Sequence, residues 1–161
     1  MNYQKKIQKE APEDLEVQES SKQRRLDMVY MTMAIAVSSL SHCKRSKVGA
    51  VIEKDGNVIS IGYNGTPSGM DNCCEELHET GMSTITKSIV LHAEMNAVIK
   101  AAKTGNAVQN STLYVTLSPC IECSKYILQS GIKRVVYLDQ YRDTSGIDLL
   151  KKFIKIEQYV I

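Results

Sequence analysis

The 161-residue chain contains no tryptophan and a single phenylalanine. A base-stacking platform for single-stranded nucleic acid is therefore poorly supplied, although eight tyrosines soften that exclusion. An excess of charge of one sign is also missing. Twenty lysines and arginines against 18 aspartates and glutamates leave a formal net charge of +2, so no broad basic field marks the chain as nucleic-acid binding. No apolar run approaches the roughly 18 residues needed to span a bilayer. The opening MNYQKKIQKEAPEDLEVQESSKQRR holds no apolar segment that could act as a signal peptide. A cytoplasmic protein with no membrane partner is the simplest expectation.

What is present is the composition of an ordinary globular domain, 43% hydrophobic and 24% charged, on a chain long enough for one core. Five cysteines is an odd number. In a reducing compartment, metal ligation explains such a set better than a disulfide framework.

Residues 1–24 are polar, without a sustained apolar stripe, and read as a tail or a loosely attached helix preceding a single domain over 25–161. From Leu26, apolar residues recur at three- and four-residue steps through Val29, Tyr30, Met33, Val37 and Leu40, the mark of a helix with one buried face. Two strand-like runs, 48–53 and 58–63, flank Asp55-Gly56, a hairpin signal. Residues 66–88 read as a long loop with a short helical piece, of the kind that serves function or an interface. Helices are expected over 92–103, 120–129 and 147–152, and strands over 112–116, 133–138 and 154–156. The order implies a three-layer α/β/α domain, with the first two strands antiparallel and helical crossovers making the later ones parallel.

Chemistry concentrates in His92-Ala93-Glu94 and Pro119-Cys120-Ile121-Glu122-Cys123. Cys-x-x-Cys alone also suits a thioredoxin-like redox pair, His92 alone a satisfied core histidine, and Glu94 alone a first-turn helix carboxylate. Jointly, His92, Cys120 and Cys123 are three zinc ligands that leave a fourth position open, as a catalytic rather than a structural site requires. Glu94, beside the metal and not needed as a ligand, is placed to move protons for an activated water. H-x-E followed by P-C-x-x-C is the pattern of zinc-dependent base deaminases. Both halves fall at expected helix starts, with Ser118 as a cap and Pro119 in the first turn, where the helix dipole favours thiolates.

Over nearly all of residues 26–158 the chain resembles the deoxycytidylate (dCMP) deaminases. The resemblance is carried by Arg45-Ser46-Lys47-Val48-Gly49-Ala50-Val51-Ile52, by Gly62-Tyr63-Asn64-Gly65-Thr66-Pro67-Ser68-Gly69, by Asn72-Cys73-Cys74, by both halves of the zinc motif, and by the segment around Tyr137 to Tyr141. The zinc motif is common to a superfamily; the stretch from Gly62 to Gly69 is more particular to this group. The short form is similar to phage and bacterial members.

That resemblance implies a cytidine deaminase-like α/β fold with a mixed five-stranded sheet, and hydrolysis of dCMP to dUMP and ammonia for thymidylate supply. It implies a homo-oligomer, often a hexamer, activated by dCTP and inhibited by dTTP with magnesium. It places Asn64 on the substrate sugar, Arg45 and Lys47, or Tyr141, on the 5′-phosphate, and effector nucleotide at Gly62, Tyr63, Asn64 and Gly65. Some phage relatives carry a second, structural zinc, whose ligands would fall at Cys43 and Cys73, with Cys74 or His78 completing the site. Small buried cysteines that merely pack are the alternative. A tRNA adenosine deaminase shares both zinc half-motifs but would show more surface basicity. A nucleoside cytidine deaminase would resemble Cys-Ala-Glu where this chain has His92. A non-enzymatic zinc-stabilised binding module would not need an intact Glu94.

Overall fold

The computed structural model describes residues 12–160. Helix α1 (Pro12–Ser38) is followed by strands β1 (Gly49–Lys54), β2 (Asn57–Tyr63), β3 (Glu75–Leu77) and β4 (Thr84–Thr86). Then come α2 (Ala93–Lys103), β5 (Thr112–Leu117), α3 (Ile121–Gln129), β6 (Arg134–Asp139), α4 (Ser145–Leu150) and β7 (Lys155–Gln158). Five strands form one mixed sheet in the order β2-β1-β5-β6-β7. Both neighbours of β1 run antiparallel to it, while β5, β6 and β7 are mutually parallel. The hairpin between β1 and β2 turns on Asp55 and Gly56 with φ of 52° and 80°, the double positive φ that its tight turn requires.

Alternation along each central strand divides the core in two. Val51, Tyr114 and Val136 face α1 through Tyr30, Met31 and Ala34. Ala50, Ile52, Leu113, Val115, Val135 and Tyr137 face the opposite layer, with Ala93 and Ala97 of α2, Ile127 of α3, and Ile147 and Leu150 of α4. Helix α1 is also fastened by charge. Asp27, buried among apolar neighbours, accepts bonds from Arg134 Nη1 and Nη2 at 2.7 Å each and from the Tyr114 hydroxyl at 2.7 Å. Burial alone would push the Asp27 carboxyl up. The bonds from Arg134, Gln23 and Tyr114 outweigh it and hold the group below its ordinary value.

One sequence reading is narrowed and one corrected. The helix expected from Leu26 reaches back to Pro12, so of the two readings of the preceding polar stretch, a tail or a loosely attached helix, residues 12–25 take the helical one. Proline fits the first helical position, but a polar helical stretch has no apolar period to reveal it. The rest of the expected tail, residues 1–11, lies outside the described residues. The 66–88 segment carries no helical piece. It forms a small separate hairpin, β3 with β4, in the register Glu75↔Thr86, Glu76↔Ile85 and Leu77↔Thr84.

Candidate active site

The parallel strands β5 and β6 end side by side, and the site gathers beyond their carboxyl ends, where open α/β sheets place ligands. His92 and Cys120 are the residues immediately before α2 and α3, both extended, and neither uses its side chain to cap its helix. Cys123 lies one turn into α3 and is buried. Pro119 therefore precedes the cap position instead of opening the helix, and Ser118 is no cap: its Oγ accepts the Tyr141 N–H at 2.8 Å.

Nδ1 of His92 lies 3.5 Å from Sγ of Cys120 and 3.4 Å from Sγ of Cys123. Tetrahedral zinc, with Zn–S of about 2.3 Å and Zn–N of about 2.05 Å, would hold such donors about 3.6 Å apart. The three side chains fit that ion. Among the described residues no other trio of His, Cys, Asp or Glu is clustered this way. The electrostatics agree. Hydrogen bonding from Cys123 and from His92 pulls the Cys120 thiol down to about 3, while the Cys120 thiolate and burial push Cys123 up. The bond with Cys120 raises His92. The neighbours of Cys120 thus favour its thiolate, the form that ligates a cation.

Glu94 is 4% exposed, and burial pushes its carboxyl up toward a greater hold on protons. Its helix is brought close by Gly62. A Cβ at that position would overlap the Ala93 carbonyl oxygen and the Ala97 backbone nitrogen, so only glycine lets β2 approach the first turn of α2 this closely. Asn96 Nδ2 completes the join, donating to the Tyr63 carbonyl at 2.7 Å.

A cavity of about 470 Å³ opens over this centre. Its lining includes His92, Glu94, Cys120, Asn64, Arg45 and Tyr141. Lys47 is exposed and does not line it. Asn64 uses its amide to brace the rim, accepting the Val48 N–H at 2.8 Å and donating to the Ser46 carbonyl at 2.9 Å. Tyr63, Asn64 and Gly65 border a second cavity of about 240 Å³ together with His42 and the 66–70 turn. Gly62 does not.

Of the four residues considered for a second zinc, Cys43 and Cys74 meet, but among the described residues no three of them cluster as metal donors. Cys43 and Cys74 form a disulfide across a Cα–Cα distance of 5.1 Å. Cys73 is exposed with a free thiol, and His78 Nδ1 pairs with the Thr80 hydroxyl at 3.1 Å. The general preference for metal over disulfides in the cysteine set is corrected at this pair, as is the alternative that these two cysteines merely pack. The fold sets the 41–48 loop against the turn before β3, a proximity that spacing along the chain does not reveal.

Sequence reasoning missed Arg142, Ser118, Ile85 and Thr86, all of which line the larger cavity. Arg142 could have been found as a cation adjoining Tyr141. Ile85 and Thr86 carried no signal, because their hairpin sits inside what reads as a loop.

Three metal donors with one position open, a buried carboxylate beside them, and a cavity above, on a three-layer α/β/α frame, define a zinc-dependent deaminase. Residues 24–139 match the family described as the cytidine and deoxycytidylate deaminase zinc-binding region. The deoxycytidylate deaminase of Enterobacteria phage T4 is 37% identical over 166 residues, covering 80% of this chain and 86% of that one. The deoxycytidylate deaminase of Saccharomyces cerevisiae is 38% identical over 130 residues, covering 78% and 41%. The crystal structure of dCMP deaminase from the cyanophage S-TIM5, in complex with dCMP and dUMP, superposes with a TM-score of 0.78 at 44% identity, covering 84% of this chain and 97% of that one. The chain belongs to the cytidine and deoxycytidylate deaminase family.

Proposed function

We propose that the chain hydrolyses dCMP to dUMP and ammonia. The observation that carries this is the set His92, Cys120, Cys123 and buried Glu94 at the base of a cavity that also presents Arg45 and Arg142. Bound zinc would be held by the two thiolates and the imidazole, and it would supply the Lewis acidity that lets a water ionise near pH 7. Glu94 accepts one proton of the attacking water and delivers it to N3 of the cytosine, then accepts the second from the new C4 hydroxyl and delivers it to the amino group, which leaves as ammonia as the C4–N bond breaks. Its burial suits it to hold each proton between transfers. The guanidinium of Arg45 suits the substrate's 5′-phosphate, and Arg142 adds a second cation on the same lining. Tyr141, also on that lining, is assigned to the nucleotide, and Asn64 to its sugar. Lys47 is left without a substrate role.

The distant likeness to a tRNA:A34 deaminase, TM-score 0.58 at 22% identity, reflects the fold alone. The near balance of charge disfavours a tRNA substrate. Incubation with dCMP or with a tRNA anticodon stem separates the two readings: ammonia is expected from dCMP only, and release from the stem alone would reverse the assignment.

Finer readings rest on the resemblance to the dCMP deaminases alone. One zinc serves each chain, in a cytoplasmic homo-oligomer, a hexamer, of several times the 18.0 kDa chain mass. Regulation by dCTP and by dTTP with magnesium is assigned to the smaller cavity beside Tyr63, Asn64 and Gly65. A sigmoidal dCMP curve straightened by dCTP is the expected result, and a hyperbola indifferent to both nucleotides would remove the regulatory reading.

A further inference from the structure

The separate hairpin β3–β4 reaches the active site through one pair of residues. Glu75 and Thr86 stand directly opposite each other at its base, and directly opposed side chains share one face of a hairpin. Both grip the same partner. Oε1 of Glu75 accepts the backbone N–H of Lys44 at 2.7 Å and that of Arg45 at 3.1 Å, and Oγ1 of Thr86 receives a bond from Arg45 Nη1 at 3.3 Å. One cross-strand pair thus holds Arg45 at its backbone and at its guanidinium. Beside it, the bond from Lys87 N–H to the Cys74 carbonyl at 2.9 Å closes the hairpin base, and the Cys43–Cys74 disulfide ties that base to the same loop. Ile85 and Thr86 bring the hairpin to the cavity lining.

A long side chain on an exposed loop has many rotamers, and confining it before substrate arrives lowers the entropic cost of binding. A guanidinium carries five N–H donors, so the single bond to Thr86 leaves the others for an anion. Two successive backbone N–H groups on one carboxylate oxygen set the direction in which the side chain leaves the loop.

We propose that Glu75, with Thr86 opposite it, is a positioning residue that aims Arg45 into the cavity and so sets the affinity for the anionic end of the nucleotide. This rests on the reading of Arg45 as a phosphate contact. Neither residue touches the reacting atoms; both act through Arg45.

Steady-state kinetics on the zinc-loaded protein with dCMP tests it in four variants and one combination. Glu75→Ala is expected to raise KM about fivefold, the loss of a charge-assisted anchor, with kcat within about twofold because no transition-state contact is removed. Glu75→Gln keeps an acceptor oxygen and is expected to stay near the parent. Thr86→Val, which keeps the β-branched shape, is expected to raise KM about two- to threefold even if Glu75→Ala folds poorly. Added to Arg45→Ala, Glu75→Ala is expected to change nothing further, since residues acting through one partner are non-additive. If Arg45→Ala raises KM while Glu75→Ala and Thr86→Val do not, positioning is refuted and the phosphate contact stands. The same holds if Glu75→Ala costs as much in the Arg45→Ala background as alone. If Arg45→Ala itself leaves KM unchanged, the phosphate reading fails and the positioning role falls with it.

Discussion

Glu94 has almost no contact with water, yet its carboxyl interacts with His92 and Cys120 and hydrogen-bonds Cys123. Glu94→Gln preserves its shape and leaves all three ligands in place, so metal analysis of the variant is expected to give the parent's zinc content. Turnover of dCMP is expected to fall about 10²- to 10⁴-fold, the range for losing a general acid–base. Loss of zinc together with activity would instead make Glu94 part of the metal's own support. The four chemical residues were legible in the sequence because each lies in a short motif whose spacing matches a helix start. Ile85 and Thr86 were not, because they reach the cavity through tertiary contact, whereas Arg142 was signalled only by its place beside Tyr141. Lys47 shows the converse: a cation two residues from Arg45 on the same loop is not among the residues that line the cavity.

At the scale of elements, the site depends on how closely two pairs of elements meet. Gly62 lets β2 lie against the first turn of α2, which carries Glu94. Gly62→Ala is expected to cost about 1–3 kcal/mol in urea unfolding, the usual range for overpacking, with no nucleotide present. A stability unchanged from the parent would free Gly62 for the nucleotide role that the sequence suggested. Helix α1 meets the sheet through buried Asp27 and half-buried Arg134, paired at 2.7 Å. Asp27→Ala removes both of its bonds to Arg134 and leaves that guanidinium Glu157 as its remaining carboxylate partner, so the variant is expected to lose about 2–3 kcal/mol near neutral pH. The folded-state pKa of Asp27 lies below its ordinary value. Its stabilisation is therefore complete above the unfolded value of about 3.8 and is lost as pH falls through the lower folded value. Melting temperatures of the parent and the variant should stay well separated down to about pH 4 and converge below it. A gap that widens on acidification would contradict this sign. The start of α1 escaped the sequence because helix detection leans on apolar periodicity, which its first turns do not have.

For the whole molecule, the mixed five-stranded sheet was readable because strand alternation, the Asp55-Gly56 turn and helical crossovers all pointed the same way. The pairing of Cys43 with Cys74 was not, since it joins two loops 31 residues apart in sequence. Among the described residues no helix is long and apolar enough to cross a membrane. The central claim is that zinc at His92, Cys120 and Cys123 and the proton transfers of Glu94 together turn dCMP into dUMP. Its most direct test follows dUMP and ammonia from dCMP with chelator-stripped protein, with the same protein after addition of zinc, and with zinc-loaded Glu94→Gln. Formation of dUMP with equimolar ammonia only in the zinc-restored parent is the predicted result. Undiminished turnover after stripping, or in the zinc-loaded variant, would contradict it.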